Sequence, residues 1–223
     1  MLDRYVFYFL PLTTPYRDAG LVLSAYLATC ASPSPSPSPA TRSAPPALPE
    51  LHQRLTMSTL NVLELGAGCG IVGIALAHFF HANVARLILT DLPEASDILT
   101  HNLSLLPTKK SPTHLVLDWF APLPPSVAAT PWHLIFVADC TYNPDVVPAL
   151  VQTLTAIAHQ SSTSARDVLV CLAMKVRHES EMVFFDLMSS EGWVVREKMA
   201  VGLGVLGTGG EQEEIEIFVF GMK

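Results

Sequence analysis

Leu60-Asn61-Val62-Leu63-Glu64-Leu65-Gly66-Ala67-Gly68-Cys69-Gly70-Ile71-Val72-Gly73 decides how this chain is read. An apolar run with one acidic residue near its end breaks into alternating glycines, then resumes as Ile71 to Ala77. That order reads as a buried strand, a tight turn and a helix. Glycines suit such a corner for two reasons. The backbone takes positive φ there without steric cost, and a ligand reaches main-chain amides only where no Cβ intervenes. The stretch therefore predicts a nucleotide-type ligand at the mouth of a strand.

Two cofactor classes use this kind of corner. Gly68-Cys69-Gly70-Ile71-Val72-Gly73 satisfies the G-x-G-x-x-G pattern of dinucleotide folds. The strand ends at Leu65, however, so the first glycine of the turn is Gly66, and the motif in register is Glu64-x-Gly66-x-Gly68-x-Gly70. This frame resembles motif I of class I S-adenosylmethionine (SAM) methyltransferases more than a nicotinamide site. A plain glycine-rich turn is the bland alternative, disfavoured by the strand before it and the helix after it.

Composition narrows the rest. A chain of 223 residues with 50% hydrophobic content suits one domain with strands buried on both faces, hence a largely parallel sheet. The formal net charge of −7 argues against a nucleic-acid groove and favours neutral or basic partners. Cys30, Cys69, Cys140 and Cys171 are scattered without ligand or disulfide spacing, which fits a reducing compartment and a cytoplasmic location with access to the nucleus. His78 and His81 stand three apart without a partner motif, so no metal site is expected. There is no G-x-S-x-G, and nucleophilic hydrolysis is unsupported. Tyr5 to Leu10 is apolar but short and broken by Pro11, without a basic leader, so neither a signal peptide nor a membrane span is expected. Nothing in the composition bears on oligomeric state.

Along the chain, Ala19 to Cys30 has near-helical apolar spacing. The Pro/Ser/Ala-rich stretch 32–58 reads as a disordered insertion between an N-terminal segment, 1–31, and the main domain, 59–223. From Leu60 strands and helices alternate: strands at 60–65, 84–90, 115–117, 133–138 and 168–174, helices at 70–81, 93–105, 145–159 and 179–190. Trp193 to Met199 and Ile215 to Phe220 close the chain as two further strands around a glycine-rich loop. The expected fold is an α/β, Rossmann-like doubly wound sheet of seven strands with the last strand antiparallel.

Asp91 ends the second strand, 21 positions beyond Gly70, where a carboxylate can accept both hydroxyls of a ribose. The alternative is an N-cap for the next helix. Asp118 and Trp119 close the third strand, on the side where an adenine would lie, with the Asp118 carboxylate or a nearby amide for its exocyclic amine and the indole for stacking. Trp119 could equally be a core aromatic. After the fourth strand comes Ala138-Asp139-Cys140-Thr141-Tyr142, for which an Asx-turn and a packed ring are the bland alternative.

Glu64-x-Gly66-x-Gly68-x-Gly70, Asp91, Asp118-Trp119 and Asp139-x-x-Tyr142, with Lys175-Val176-Arg177-His178-Glu179 and Phe184-Phe185 further on, form an ordered set. Together they resemble the eukaryotic family of non-histone protein-lysine methyltransferases that modify chaperones and translation factors. The resemblance implies SAM as cofactor and a protein substrate, and neither nucleic acid nor membrane as partner. It implies that Gly66, Ala67 and Gly68 line the methionine and ribose portion, that Asp91 binds the ribose, and that Trp119 and Ala138 border the adenine. Asp139 and Tyr142 would shape the transfer site. Two rivals stay open here: a SAM enzyme for a small molecule, and a non-catalytic binding protein that keeps the fold.

The resembled family places a Trp before its first helix, whereas Arg17 precedes Asp18-Ala19-Gly20-Leu21-Val22-Leu23 here. Residues 1–16 also lack the strand-rich lead-in of that family. An N-terminus missing or mistranslated in this sequence is expected over a lost cofactor lid, because the other motifs remain together.

Overall fold

The apolar run Leu60–Leu65 becomes β1, an interior strand of the sheet, and its alternation builds two cores at once. Leu60 and Val62 enter one hydrophobic cluster, Leu63 and Leu65 the other. The same division holds in β4, Leu134–Ala138, and in β5, Leu169–Met174, where odd and even residues fall into opposite clusters. A period of two with both faces apolar requires cover on both sides of the sheet.

That cover comes from helices in this computed structural model, which describes residues 18–31, 48–106, 112–161, 168–175, 182–202 and 214–223. On one face lie α1 (Asp18–Ala31), α2 (Pro49–Leu55), α3 (Ile71–Phe79) and α4 (Ser96–Ser104). On the other lie α5 (Pro125–Ala128), α6 (Val147–Ser161) and α7 (Val183–Ser190). The remaining strands are β2 (Val84–Asp91), β3 (Thr113–Val116), β6 (Trp193–Gly202) and β7 (Glu214–Met222). The order is β3-β2-β1-β4-β5-β7-β6, with β7 antiparallel to both neighbours. The expected seven-stranded sheet with its last strand reversed is what the chain forms.

The strand order turns at β1, which pairs with β2 on one side and β4 on the other, both in parallel. Connections leaving β1 and β4 therefore go to opposite faces and open a crevice at the carboxyl ends of the strands. Glu64, Asp91, Asp118 and Asp139 all sit at or beside that edge.

The domain boundaries need correction. The expected disordered insertion, 32–58, contains an ordered end: Pro49 opens α2, and Leu48, Leu51 and Leu55 are buried in the main core. Pro is well suited to a first helical turn, where its missing N–H costs nothing. The first amides of that turn, Glu50 N–H and Leu51 N–H, which have no partner within the helix, donate to the Glu197 carboxylate on β6 at 2.7 and 3.1 Å. Arg196 pairs with Glu50 at 2.7 Å, and Leu48 N–H donates to Tyr26 Oη of α1. Leu23 and Leu27 of α1 are fully buried in the same cluster, so α1 and α2 belong to the domain expected to begin at residue 59. Residues 32–47, and the calls made on residues 1–17, 176–179 and the glycine-rich loop at 203–213, lie outside the described residues.

Smaller differences have local causes. The helix expected at 70–81 starts one residue later, because Gly70 is its N-cap at φ 81°. The helix expected at 93–105 opens with a 3-10 turn, Pro93–Ala95, before α4. The third strand, expected at 115–117, runs from Thr113 to Val116; Leu117 N–H still donates to Asp91 O just past the ladder.

Candidate functional site

The crevice holds a cavity of about 1100 Å³. Glu64, Gly66, Ala67, Gly68, Asp91, Asp118, Trp119, Ala138, Asp139 and Tyr142 all reach its wall. They come from the last residues of β1, β2 and β4 and from the connections that follow β1, β3 and β4.

The first connection is held through its own main-chain groups, by backbone and by side-chain partners. Gly66, Gly68 and Gly70 take φ of 65°, 57° and 81°. Gly70 N–H donates to Ala67 O at 2.8 Å, and Ala67 N–H donates to Thr90 O at 3.0 Å, tying the turn to the end of β2. Glu64 is 2% exposed and reaches under the loop to accept Gly73 N–H at 2.8 Å, so it fixes where α3 begins. Burial pushes its carboxyl up to about 8, the negative field of Asp91 adds to this, and the Gly73 bond opposes it.

The three glycines do different things. A Cβ on Gly68 would meet no heavy atom within 4 Å. With Gly68 on the cavity wall, that open space is the approach a cofactor needs. A Cβ on Gly66 would stand 2.5 Å from Cys140 Sγ and 3.4 Å from the Trp119 ring, so this glycine lets β4's corner and the indole close up on the loop. Gly70, expected to contact cofactor, does not reach the cavity. A Cβ there would strike Leu99 and Leu89 at 2.9 and 3.0 Å, and its role is to let α4 and β2 pack against the turn.

Asp91 is braced from both sides: Gly68 N–H donates to Oδ2 at 2.6 Å and Leu92 N–H to Oδ1 at 2.7 Å. The N-cap of the following 3-10 turn is Leu92, without a side-chain cap, so Asp91 is not acting as a cap. Each oxygen keeps a lone pair for a further donor. Trp119 is both things the sequence allowed, packed against the core and lining the cavity, with its carbonyl held by Thr153 Oγ1 at 3.4 Å. Asp118 Oδ1 accepts Phe120 N–H at 3.0 Å.

The connection after β4 differs. Asp139 takes φ 55°, a left-handed conformation that Asp tolerates better than most residues, while its N–H still donates to Ala173 O at 2.9 Å. The turn aims the chain out of the sheet, and Tyr142 emerges 61% exposed at the cavity mouth. An Asx-turn at this corner is made by Asn143, whose Oδ1 accepts Asp145 N–H at 3.0 Å. Cys140 is buried beneath the loop, and burial, with Asp91, Glu64 and Asp139 nearby, pushes its thiol up, so it is packing and no nucleophile.

These residues fit a SAM molecule. The cavity offers an open glycine, a braced carboxylate for a diol, and an indole face, while its wall carries the carboxyl groups of Glu64, Asp91, Glu94, Asp118 and Asp139 and, among the described residues, no Lys, Arg or His. Sequence reasoning missed Gly20 of α1, Leu92, Ile98 and the 71% exposed Phe120, which also line the wall. Phe120 had a signal, an aromatic doublet at the head of a proline-rich loop; Gly20 had none, since only packing brings α1 to the glycine loop.

A model of a family described as lysine methyltransferase matches residues 16–191. The chain is 31% identical over 134 residues to EEF1A lysine methyltransferase 3 of Xenopus tropicalis, covering 60% of this chain and 54% of that protein. It is 26% identical over 136 residues to protein-lysine N-methyltransferase EFM6 of Saccharomyces cerevisiae, covering 56% and 53%. The chain thus spans about half the length of these curated relatives. Among solved structures, the precorrin-6y C5,15-methyltransferase of Geobacter metallireducens superposes with a TM-score of 0.53 at 13% identity, covering 77% of this chain and 84% of that one, a likeness of fold alone.

Proposed function

Because this chain belongs to the lysine methyltransferase family, we propose that it transfers a methyl group from SAM to a lysine side chain of another protein. The observation that carries this reading is the convergence, in one cavity, of the glycine loop, Asp91 and Trp119 with the Asp139–Tyr142 corner. A nucleotide site alone would serve many chemistries. The second, outward-turned corner gives an acceptor its own entry.

When bound, SAM supplies an electrophilic methyl group on a positively charged sulfur. Gly66, Ala67 and Gly68 would line its methionine and ribose portion, and Asp91 would accept the ribose hydroxyls on the lone pairs its amide donors leave free. Asp118, Trp119 and Ala138 would border the adenine. Glu64 acts from behind, by setting the start of α3.

The acceptor presents a different problem. A lysine of ordinary pKa near 10.4 costs about 4.6 kcal/mol to deprotonate at pH 7, and only the neutral amine attacks. A carboxylate beside it stabilises the charged form, so Asp139 is assigned to binding and orienting the incoming ammonium, not to removing its proton. Desolvation and the nearby positive sulfur act in the other direction, and Tyr142 would form a wall of the entry. Holding amine and methyl in line would then provide most of the acceleration.

The relatives' names support a protein acceptor, and one of them names EEF1A. We extend this to a chaperone or translation factor as substrate and to the cytoplasm as the place of action. Among the described residues no helix is long and apolar enough to cross a membrane. Incubating the purified protein with labelled SAM and cell extract, then locating the labelled residue, tests the reading. Label on a lysine of a discrete protein supports it; label only in small metabolites overturns it.

A further inference from the structure

We propose that Asn102 is a positioning residue for the cofactor loop, acting through the carbonyl of Cys69. On α4 the buried face consists of Leu99, Asn102 and Leu103, and Asn102 is only 3% exposed. Its Nδ2 donates to Cys69 O at 2.8 Å, across 33 positions of sequence. Its Oδ1 is buried without a hydrogen-bond partner among the described residues. An unpaired buried oxygen is unfavourable, and an apolar residue of similar shape would avoid it. Packing alone therefore gives no reason for an amide here; the bond to Cys69 does.

What that bond controls is the loop's central peptide. Cys69 lies between Gly68, whose N–H is taken by Asp91, and Gly70, the left-handed N-cap of α3 that has no side-chain capping bond. The loop is thus gripped by two side chains from the same β2–α4 segment. Asp91 holds the Ala67–Gly68 peptide and Asn102 the Cys69–Gly70 peptide. Three positive-φ glycines make this turn conformationally permissive, so fixing both peptides before the ligand arrives removes an ordering cost from binding. The inference rests on SAM being the ligand of this cavity.

The test measures SAM affinity and thermal stability of the full chain in Asn102→Leu, which removes the donor, and Asn102→Asp, which keeps the shape but turns an acceptor toward the Cys69 carbonyl. Leu103→Ala, on the same helix and buried in the core, is the stability control. Both Asn102 variants are expected to weaken SAM binding about tenfold and to raise KM for SAM, while methyl transfer into extract protein at saturating SAM stays near wild type. Leu103→Ala should lower Tm without moving SAM affinity. Wild-type SAM affinity in Asn102→Asp overturns the inference, as does a fall in turnover at saturating SAM with KM unchanged, or an equal loss of affinity in Leu103→Ala. The Asp variant decides alone if the Leu variant does not fold. Absence of SAM binding by the wild-type protein would instead remove the reading of the cavity, and this inference with it.

Discussion

The two halves of the cavity are built on opposite plans. Around Gly66–Gly70 nearly every contact is internal: Glu64 holds Gly73, Asp91 holds Gly68, Asn102 holds Cys69, and Cys140 fills the space beside Gly66. Around Asp139–Tyr142 a single left-handed residue turns the chain outward and leaves an aromatic ring in solvent. The first half is a backbone mould, where an added atom does damage. The second consists of side chains on a turn, which the fold would survive losing. A cofactor of fixed shape calls for the first kind of site, and an exchangeable acceptor calls for the second.

The sharpest break should come from Gly68→Val. Its Cβ has open space in the protein, so the expected loss of all measurable SAM binding, read by calorimetry, would come from the ligand's side. Gly73→Ala is the counterpart: a Cβ there would lie 2.6 Å from Leu89, and stability should fall instead. Next in size is Glu64. Burial raises its carboxyl from a usual 4.5 to about 8, so the folded state keeps a proton that the unfolded chain has lost. The stability this contributes is complete below about pH 4.5 and is lost as pH rises through about 8. The slope between approaches roughly 1.4 kcal/mol per pH unit. Denaturant unfolding of Glu64→Gln across this range should show that fall flattened; an unchanged slope would mean that Glu64 is ionised in the fold.

How far each half was legible follows from the same contrast. The backbone mould announces itself because glycine spacing and doubly buried strands leave a periodic trace, and β1, β2, β4 and β5 lie where the apolar runs put them. Identity did not reveal which glycine faces a ligand and which faces Leu99, so Gly70 was assigned to the cofactor along with its neighbours. The helix at Pro49–Leu55 was hidden by the Pro-rich stretch before it, since seven residues are too few for a helical period to stand out. Asn102 carries no motif at all; only the fold brings it under Cys69. Resemblance, more than periodicity, pointed to Asp139 and Tyr142, because one turn after a strand has no period to read.

On the acceptor side, Asp139→Asn removes the charge while keeping a residue that accepts φ near 55°. Transfer to protein should fall about 100-fold, the scale of a misplaced reactant, with SAM affinity and Tm near wild type. Equal losses of SAM affinity and transfer would erase the division between the halves. Asp139→Ala adds backbone strain and would blur that result.

The smallest effect should be at Tyr142, and it tests the plan of the outer half most directly. A ring that is 61% exposed contributes little to the fold, so Tyr142→Ala should change stability by no more than about 0.5 kcal/mol. If the ring forms a wall for an incoming ammonium, its loss removes a partly solvated cation–π contact of about 0.5 to 1 kcal/mol, a few-fold rise in KM for the protein acceptor. SAM affinity should stay where it is, because the cofactor half does not depend on this residue for its shape. Tyr142→Phe keeps the ring and should retain wild-type KM; a rise there equal to that of the Ala variant would assign the contact to the hydroxyl. An Ala variant with unchanged acceptor kinetics would leave Asp139 as the acceptor contact on this corner and shift attention to the exposed ring of Phe120 on the same rim.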